Sequence, residues 1–556
     1  MPITDLLARN ARDFGDETAL VEINLDLQDE HHVIWSEYEL IENNPAGEYR
    51  RVMTWRVFEE KANRFARLLM QRGVKRGDKV AILMMNCLEW LPVYFGILKT
   101  GALAVPLNYR YSADEIRYCL NLAEVSALIF GPEFIGRMES IVKDLTQVRL
   151  MFFAGENRPS FAESYDRLTA NCCSNDPQVE LSEDDDAVIY FSSGTTGFPK
   201  AILHKHRMLT EAAVTEQKHH QQSREDIFLC IPPLYHTGAK MHWFGSLLAG
   251  SKAILLRGIR PEWILRTISE EKITIAWLLV PWAQDILDAL DNGELKLADY
   301  AVSQWRLMHI GAQPVPPSLV HRWQKYFPGQ QYDTNYGLSE SGGPGCVHLG
   351  MENIRKVGAI GVPGHGWETK IVNDKGETVA QCDIGELAVR GPGLMVCYFN
   401  NPNATQEVLK DGWLLTGDMA RMDEEGFIYL VDRKKDVIIT GGENLYPVEI
   451  EDFLRRHPAV RDVAVIGLRD ERLGEVAAAV VSVKEGFTLQ KEEIEEFAKG
   501  LPRYKRPRRY IWGDVPRNPT GKIEKPALRK KYGVEHLVGE QTEGVFCCSE
   551  RPIHKF

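Results

Sequence analysis

Short apolar runs alternate with helical patterns along much of this chain, and this alternation constrains the fold more than any other feature of the sequence. Strands that are separated by helices form parallel sheets covered on both faces. We therefore predict an α/β protein. The predicted strands are 80–84, 103–107, 127–130, 252–256, 273–280 and 306–310, and the predicted helices are 54–73 and 89–99, with a capping box at 112–115 that opens a further helix.

The length of 556 residues is too great for one hydrophobic core and predicts several domains. After residue 432 the segments become shorter and more charged. We place a boundary at 432–436, between a large N-terminal domain (1–432) with αβα layers and a small α+β C-terminal domain (433–556). The acidic segment 22–50 is interpreted as a surface hairpin or a contact to another subunit, and the tail after 532 is unassigned.

Composition excludes several classes of protein. The net charge of −12 argues against general nucleic-acid binding, which needs a basic surface. The most apolar stretch, 80–107, is interrupted by Asn86, Glu89 and Lys99, and is typical of a core rather than a membrane span. The ten cysteines form no Cys-x-x-Cys pair and so do not suggest zinc, and residues 1–5 do not resemble a signal peptide. We expect a cytoplasmic enzyme that is a monomer or a homodimer.

A loop dense in hydroxyls and glycines follows an apolar run at 187–191. The run predicts a buried strand, and the loop 192–200 ends at Lys200. Small residues let backbone N–H groups approach an anion, while hydroxyls add donors and lysine adds charge. The loop therefore indicates a polyphosphate cradle, although its spacing is not that of a Walker motif. A Gly/Ser surface turn is the alternative.

Five motifs in a fixed order give the loop its context. They are Tyr190 to Ala201, Tyr336 to Glu340 (Tyr-Gly-Leu-Ser-Glu), Trp413 to Asp418, Asp432 to Asp436 with Gly441 to Asn444, and Pro519 to Ile523. This series resembles the adenylate-forming superfamily of acyl-CoA synthetases, luciferases and peptide-synthetase adenylation domains, over about residues 50–530. The resemblance implies a small β-barrel-like subdomain within the large domain and a mobile C-terminal domain.

The resemblance implies an ATP-dependent, AMP-forming carboxylate–CoA ligase that makes an acyl-adenylate and then a thioester, in a reversible reaction. A luciferase-like or other adenylate-forming enzyme that does not use coenzyme A is the alternative. The expected cofactors and co-substrates are Mg²⁺, ATP and coenzyme A. The carboxylate and ATP are both anions and must meet in the first step, so the site has to neutralise the charge on ATP and on the departing pyrophosphate.

By resemblance, Lys522, Glu340 and His236 are the catalytic candidates, and Glu340 is the magnesium ligand. Tyr336 would stack on adenine, Asp418 and Arg433 would contact the ribose, and Lys522 would stabilise developing charge. The ATP/AMP-binding candidates are Ser192, Ser193, Gly194, Thr195, Thr196, Gly197, Lys200, Gly311, Ala312, Gln313, Asp333, Thr334, Asn335, Tyr336, Gly337, Ser339, Asp418, Arg433 and Lys522.

The second half-reaction needs a different geometry, which the family obtains by rotating the C-terminal domain. Lys435 matches the hinge position. The candidates for coenzyme A binding are Gly441, Gly442, Arg472, Tyr504, Lys505 and Arg506. A solvated basic face is the alternative interpretation of the 504–509 run.

The acyl-pocket candidates implied by the resemblance are His236, Thr237, Gly238, Leu278, Gly311, Ala312 and Gly342. Trp243 and Trp277 would belong either to this wall or to the core. The segment 232–238 lacks the aspartate with which relatives bind an amino group, so an amino-acid substrate is disfavoured. We predict a compact aromatic or alicyclic acid, with a medium-chain fatty acid as the alternative. Lys240 could serve a dicarboxylate, but a side chain directed to solvent is the favoured expectation.

Overall fold

The computed structural model describes residues 1–28, 33–35, 40–42, 48–192, 199–311, 315–348, 350–440, 443–470, 472–517 and 523–533. These residues form two compact units. Unit 1 comprises Met1–Lys370 and Ala388–Leu415, and unit 2 comprises Ile371–Leu387 and the described residues from Thr416 onward. Where a hinge lies within the chain stays a prediction.

The elements are numbered in chain order. The helices are α1 (Thr4–Asp13), α2 (Trp55–Gln71), α3 (Trp90–Leu98), α4 (Ala113–Leu122), α5 (Ile135–Ile141), α6 (Tyr165–Ala170), α7 (His206–His219), α8 (Thr237–Ala249), α9 (Pro261–Glu270), α10 (Val280–Asp291), α11 (Pro317–Tyr326), α12 (Pro402–Val408), α13 (Pro447–Leu454), α14 (Lys491–Phe497) and α15 (Lys525–Gly533). The strands are β1 (Thr18–Asn24), β2 (Val33–Trp35), β3 (Leu40–Glu42), β4 (Arg50–Thr54), β5 (Lys79–Leu83), β6 (Leu103–Pro106), β7 (Ala127–Phe130), β8 (Leu150–Phe153), β9 (Glu163–Ser164), β10 (Asp186–Ser192), β11 (Lys200–Lys205), β12 (Ile227–Cys230), β13 (Lys252–Arg257), β14 (Ile275–Leu279), β15 (Leu307–Gly311), β16 (Gln331–Gly337), β17 (Pro344–His348), β18 (Val362–Pro363), β19 (Glu368–Val372), β20 (Gly385–Arg390), β21 (Cys397–Tyr398), β22 (Leu409–Lys410), β23 (Trp413–Met422), β24 (Ile428–Arg433), β25 (Ile438–Thr440), β26 (Glu443–Leu445), β27 (Val460–Asp470), β28 (Gly474–Val483) and β29 (Arg509–Trp512).

Unit 1 contains two large, mainly parallel sheets. The first has the order β18-β17-β16-β15-β14-β12-β13-β1-β4, and it is parallel from β16 to β1. The second has the order β21-β11-β10-β6-β5-β7-β8-β9, and it is parallel from β10 to β9. The predicted α/β class with parallel sheets is confirmed, and all six predicted strands lie in these sheets.

A layer of aromatic helices lies between the two sheets. Phe58 of α2, Phe95 of α3 and Trp243 of α8 pack together, with ring centroids 5.7 to 6.0 Å apart. They share one core with inward residues of both sheets, such as Val80 and Leu255. Each aromatic side chain buries about 150–250 Å², so this layer fixes the position of one sheet relative to the other. Trp243 therefore belongs to the core.

Local sequence determines where the helices begin. The Thr54 hydroxyl accepts a hydrogen bond from Val57 N at the start of α2, as the sequence predicts for a cap. Ser112 and Glu115 form the predicted capping box at the start of α4, with both reciprocal hydrogen bonds present.

The segment 22–50 contains the predicted hairpin, because β2 and β3 pair antiparallel with Ile34 opposite Ile41. Glu22 itself lies in β1, where it is buried and forms an ion pair with Arg51. A contact of this segment with another subunit stays a prediction.

Unit 2 is smaller and has its own sheet. Its long strands β27 and β28 pair antiparallel, and β29 adds in parallel to β28. One face carries Val463 and Val465 with α13, and the other carries Ala464 and Ile466 with α15. This α+β organisation is the one predicted for the C-terminal domain. In neither unit is a described helix both long and apolar enough to span a bilayer.

Gly361 provides a test of the tight packing at the edge of the first sheet. Its φ is +100°, and an added Cβ would lie 1.9 Å from the carbonyl oxygen of Val347 on β17. We expect Gly361→Ala to lower the free energy of unfolding by about 3 kcal/mol or more, because the backbone must move. Thermal unfolding at a fixed scan rate measures the change.

Gly329→Ala is the matched control. Its φ is +80°, but no atom lies within 4 Å of an added Cβ. Only the strain of an alanine in the left-handed backbone conformation remains, which costs about 1–2 kcal/mol. Equal losses of stability in the two variants would contradict the close approach at Gly361.

Candidate functional site

The two ends of the predicted phosphate loop are fixed by a hairpin. Ser192 is the last residue of β10 and Lys200 the first of β11, and the two are direct partners across the antiparallel pair. The sheet thus places a cation next to the end of a buried strand. The loop candidates between them, like five further candidates, lie outside the described residues; they are Ser193, Gly194, Thr195, Thr196, Gly197, Ala312, Gln313, Gly441, Gly442 and Lys522.

Tyr398 brings the predicted phosphate lysine and the predicted magnesium ligand together. Its hydroxyl donates to Glu340 Oε1 at 2.8 Å, and Lys200 Nζ lies 4.5 Å from the centroid of its ring. The ring reaches both because β21 pairs with β11, with Tyr398 opposite Ile202. Burial, followed by the charge of Glu340, raises the pKa of the Tyr398 hydroxyl, which therefore stays a proton donor.

Glu340 fits the part of a magnesium ligand. The side chain is half-buried, so its charge is accessible from the site. Its carboxylate supplies the hard oxygen donors that Mg²⁺ prefers. Met395 N donates to the Glu340 carbonyl oxygen at 2.8 Å and fixes the backbone there.

Ser339 is held from two sides. The Thr237 hydroxyl donates to Ser339 Oγ at 3.4 Å, and His204 Nε2 donates to its carbonyl oxygen at 2.7 Å. Burial lowers the pKa of His204 to about 4, so its ring is neutral at physiological pH. His204 also packs under Gly342, where an added Cβ would lie 3.1 Å from its ring and 2.7 Å from the Gly393 carbonyl oxygen.

A flat apolar wall lies beside the predicted acyl pocket. An added Cβ on Gly238 would lie 2.9 Å from the Trp277 ring, and one on Gly311 would lie 3.6 Å from Trp277 Nε1. The His236 ring is 6.4 Å from that of Trp277, and its Nδ1 accepts a hydrogen bond from Gly238 N at the start of α8. These four residues, all from unit 1, are therefore grouped around the Trp277 ring.

Leu278, predicted for the same wall, does not lie with these residues. Successive residues of a strand point to opposite faces of the sheet, and Trp277 faces the inner core while Leu278 packs fully buried in the outer one. The register explains which residues share the wall. Trp277 pairs with His309 and Leu279 pairs with Gly311, and because residues two apart on a strand point to the same face, Trp277 and Gly311 lie on one face of the sheet.

The expectation that Lys240 points to solvent is wrong. Its side chain is completely buried, and Nζ donates to the carbonyl oxygens of Leu234 and Tyr235 at 2.6 and 3.1 Å. Nζ also lies 4.4 Å from the centroid of the Tyr190 ring. Burial holds the pKa of Lys240 well below its usual range. Lys240 thus stabilises the turn that carries His236.

Strand β16 carries the predicted adenine segment. Thr334 and Tyr336 are buried, and Asn335 is half-buried with an Nδ2 that has no hydrogen-bond partner among the described residues. Gly337 is closely packed, because an added Cβ would lie 2.6 Å from the Gly343 carbonyl oxygen. Asp333 instead lies 3% exposed among histidine side chains and away from solvent.

Within unit 2, the two predicted ribose contacts form an ion pair. Asp418 of β23 and Arg433 of β24 are register partners, and Arg433 Nε lies 2.7 Å from Asp418 Oδ1. Gly417 N donates to Glu386 Oε1 at 2.9 Å, which fixes the turn before Asp418. The predicted hinge residue Lys435 follows in a short 3-10 helix with an exposed side chain.

A surface pocket in unit 2 includes two of the predicted coenzyme A contacts, Tyr504 and Arg506. Arg506 also donates to the carbonyl oxygens of Leu501 and Lys499. Lys505 points away to Glu449, at 2.6 Å, and Arg472 is exposed but is not part of the lining. The pocket lining is Thr440, Glu443, Leu445, Leu473, Ala477, Tyr504, Arg506 and Arg508.

Two family models match this chain. The model of the AMP-binding enzyme matches residues 7–399, and that of the AMP-binding enzyme C-terminal domain matches residues 449–522. The chain belongs to the AMP-binding enzyme family.

Similar proteins are CoA ligases. The long-chain-fatty-acid–CoA ligase FadD13 of Mycobacterium tuberculosis is 31% identical over 484 residues, which cover 86% of this chain and 93% of the relative. The 2-succinylbenzoate–CoA ligase of Bacillus mycoides is 32% identical over 460 residues, covering 82% and 89%. The crystal structure of the anthranilate CoA ligase AuaEII with anthranoyl-AMP has a TM-score of 0.83 at 25% identity, and covers 97% of this chain and 98% of that chain.

These matches confirm the superfamily, the fold class and the class of reaction predicted from the motifs. This member of the AMP-binding enzyme family is an AMP-forming acid–thiol ligase, and its substrates are a carboxylic acid, ATP and coenzyme A. The alternative that does not use coenzyme A is disfavoured.

Sequence reasoning missed Tyr398 and His204. Tyr398 and His204 lie outside the motifs, and no local pattern marks them; strand pairing brings them to Glu340 and Ser339. The adjacent His219 and His220 are a visible signal in the sequence that was not used.

Tyr398→Phe tests the contact to Glu340. The variant removes the hydroxyl donor but keeps the ring beside Lys200. We expect the magnesium concentration that gives half-maximal adenylate formation to rise about tenfold, as for other partners of metal ligands. Pyrophosphate release measured against magnesium concentration provides the readout.

Tyr326→Phe is the matched control, because Tyr326 also donates its hydroxyl to a carboxylate, that of Asp291, at the surface. It should keep the wild-type magnesium requirement. An unchanged requirement in Tyr398→Phe would mean that this hydrogen bond does not position Glu340.

Proposed function

We propose that this ligase activates a compact apolar carboxylic acid that carries an aromatic or alicyclic ring, with a medium-chain fatty acid as the alternative. The observation that carries the proposal is the flat Trp277 ring, which lies beside Gly238, Gly311 and the His236 ring. A flat wall opposite two glycines suits a ring better than a flexible chain. Thr237 and Gly342 complete the proposed pocket.

The charges near the pocket argue against a dicarboxylate. Lys240 Nζ is occupied by the carbonyl oxygens of Leu234 and Tyr235. A second carboxylate would thus find no partner at Lys240, and burying an unpaired charge is costly.

In the adenylation step, a carboxylate attacks the α-phosphorus of ATP, and the leaving group is pyrophosphate. We assign the β- and γ-phosphates to Lys200 and the hydroxyl-rich loop that follows Ser192, and the α-phosphate to Ser339. Glu340 would hold magnesium, which supplies charge neutralisation for the phosphates. Lys522 would stabilise the charge that develops between the carboxylate and the α-phosphate.

The nucleoside is assigned to β16 and the end of β15. Tyr336 would stack on adenine, and Asn335 Nδ2, which has no partner among the described residues, supports a hydrogen bond to the base. Asp418 and Arg433 are the proposed ribose contacts. The remaining nucleotide-binding assignments are Gly311, Ala312, Gln313, Thr334 and Gly337.

In the thioester step, the thiol of coenzyme A attacks the acyl carbon and AMP leaves. We assign rotation of the C-terminal domain to a hinge at Lys435. Tyr504 and Arg506 would bind coenzyme A, and the exposed Arg508 in the same pocket lining supports a contact to its phosphates. Lys505, Arg472, Gly441 and Gly442 are further assignments. ATP and coenzyme A as co-substrates favour a cytoplasmic location.

A panel of acids tests the substrate class. Benzoate, cyclohexane-1-carboxylate, octanoate, acetate and palmitate are compared by AMP release that depends on coenzyme A. We expect the highest kcat/KM for the ring acids. Preference for acetate or palmitate would contradict the proposal.

Trp277→Leu sharpens this test. Loss of the flat wall should raise the kcat/KM ratio of octanoate to benzoate about tenfold, since pocket contacts of this kind are worth about 1–3 kcal/mol. Trp263→Leu, at a buried tryptophan of α9 in the other core, should leave the ratio unchanged. An unchanged ratio in Trp277→Leu would mean that this side chain does not select the acid.

Two variants separate the half-reactions. Lys435→Pro should leave adenylate formation intact and reduce thioester formation more than about tenfold, because proline restricts the backbone rotation that a hinge needs. Lys522→Ala should slow adenylate formation and leave thioester formation from supplied acyl-adenylate intact. The steps are measured as pyrophosphate release without coenzyme A and as thioester formation from supplied acyl-adenylate.

Lys435→Ala keeps the backbone free and serves as the control for Lys435→Pro. Equal losses in both half-reactions for Lys435→Pro would reject the hinge at this residue. Undiminished pyrophosphate release by Lys522→Ala would reject its assigned role.

A further inference from the structure

Four side chains of unit 1 converge behind the acyl wall and are here called the histidine cluster: His219, His220, His309 and Asp333. His219 ends α7 and His220 caps it. His309 and Asp333 are direct partners across the parallel strands β15 and β16. The fold therefore brings one helix end and two neighbouring strands to a single point, which is closed to solvent because the four side chains are 0–5% exposed.

Three of the four separations below are close to those of ligands around one ion, and the fourth, between His219 and Asp333, is shorter. Asp333 Oδ2 lies 2.5 Å from His219 Nε2, 3.0 Å from His220 Nε2 and 3.4 Å from His309 Nδ1. His220 Nε2 lies 3.1 Å from His309 Nδ1, and all four atoms are within 4.8 Å of one another. Ligands at about 2.0–2.1 Å from a tetrahedral ion are about 3.3 Å apart.

Hydrogen bonds within the cluster account for only part of this convergence. His309 Nδ1 contacts Asp333 Oδ2 and His220 Nε2 within hydrogen-bond distance. The approach of His219 Nε2 to Asp333 lacks hydrogen-bond geometry, and this buried nitrogen has no hydrogen-bond partner among the described residues. A buried imidazole nitrogen without a partner, directed at a carboxylate and two further imidazoles, suits a metal ligand.

Outer-shell partners complete the arrangement. The His220 ring presents Nε2 to the cluster and its Nδ1 lies 2.8 Å from Glu216 Oε1, so a carboxylate fixes the orientation of the ring. Glu216 also contacts His242 Nδ1, and both side chains are almost fully buried. A carboxylate that holds the distal nitrogen of a ligating histidine is a common feature of zinc sites.

We propose that His219 Nε2, His220 Nε2, His309 Nδ1 and Asp333 Oδ2 bind one divalent transition-metal ion of the zinc class. Three imidazoles and one carboxylate suit zinc and neighbouring first-row metals, whereas magnesium prefers oxygen ligands. Four protein ligands in a closed site indicate a structural ion. It would join the end of α7 to β15 and β16, the strands that lead to Gly311 and Tyr336. This site is separate from the magnesium assigned to Glu340.

The metal content of the untagged full-length enzyme tests the proposal. Protein from zinc-supplemented cells should carry about one zinc ion per chain by mass spectrometry. X-ray absorption at the zinc edge should show nitrogen and oxygen neighbours at about 2.0–2.1 Å. Removal of the ion with a competing chelator should lower Tm, and zinc alone should restore it.

Variants locate the ion. His219→Gln and Asp333→Asn should each lower zinc affinity at least about tenfold, and Glu216→Gln, which changes an outer-shell partner, should lower it by about 10–100-fold. His206→Gln is the control, since His206 is a buried histidine at the other end of α7 and outside the cluster. It should keep the wild-type zinc content.

Two outcomes would overturn the proposal. One is a wild-type enzyme that is isolated without metal, takes up no zinc against a chromophoric chelator and has a Tm insensitive to chelation, in which case the cluster is a metal-free polar network. The other is full zinc content in folded His219→Gln and Asp333→Asn, which would place the ion elsewhere. Neither readout depends on the acid, so failure of the substrate proposal leaves this test intact.

Discussion

Parallel strands that end at one edge of a sheet hold this enzyme's proposed site together. In the first sheet, β14, β15 and β16 run side by side, and register sets Leu279 beside Gly311 and His309 beside Asp333. The carboxyl ends of such strands are where open α/β sheets bind ligands. The aromatic layer of α2, α3 and α8 sets the position of the second sheet, whose β10–β11 hairpin contributes Ser192 and Lys200. A shift of one residue in the register of β14 with β15 would turn Trp277 to the opposite face of the sheet, away from Gly311.

An acidic protein that joins two anions needs cations at the point where the anions meet. The chain carries a net charge of −12, so charge balance at the phosphates depends on local structure. Tyr398 provides one such arrangement, because its hydroxyl contacts Glu340 while its ring lies beside Lys200. A carboxylate and an ammonium are thereby held near one another without forming an ion pair, and both remain directed to the site.

Local features of the sequence predicted the elements well, since caps, apolar runs and the ends of the phosphate loop depend on near neighbours. The Thr54 cap, the Ser112 capping box and the buried strand that precedes the loop are examples. Contacts that depend on tertiary packing were missed. Lys240 appeared to be a surface residue because its partners, two carbonyl oxygens, carry no sequence identity. Leu278 shows how one step along a strand moves a side chain to the other face.

Trp277 lies between the residues proposed for the acyl pocket on one side and the histidine cluster with its outer shell on the other. Its ring centroid lies 4.3 Å from that of His242 and 6.3 Å from that of His309. The tilt of the indole therefore depends on residues behind it that are not assigned to the acyl pocket. If Trp277 selects the acid as proposed, an engineering library confined to the pocket lining would leave out positions that govern selectivity.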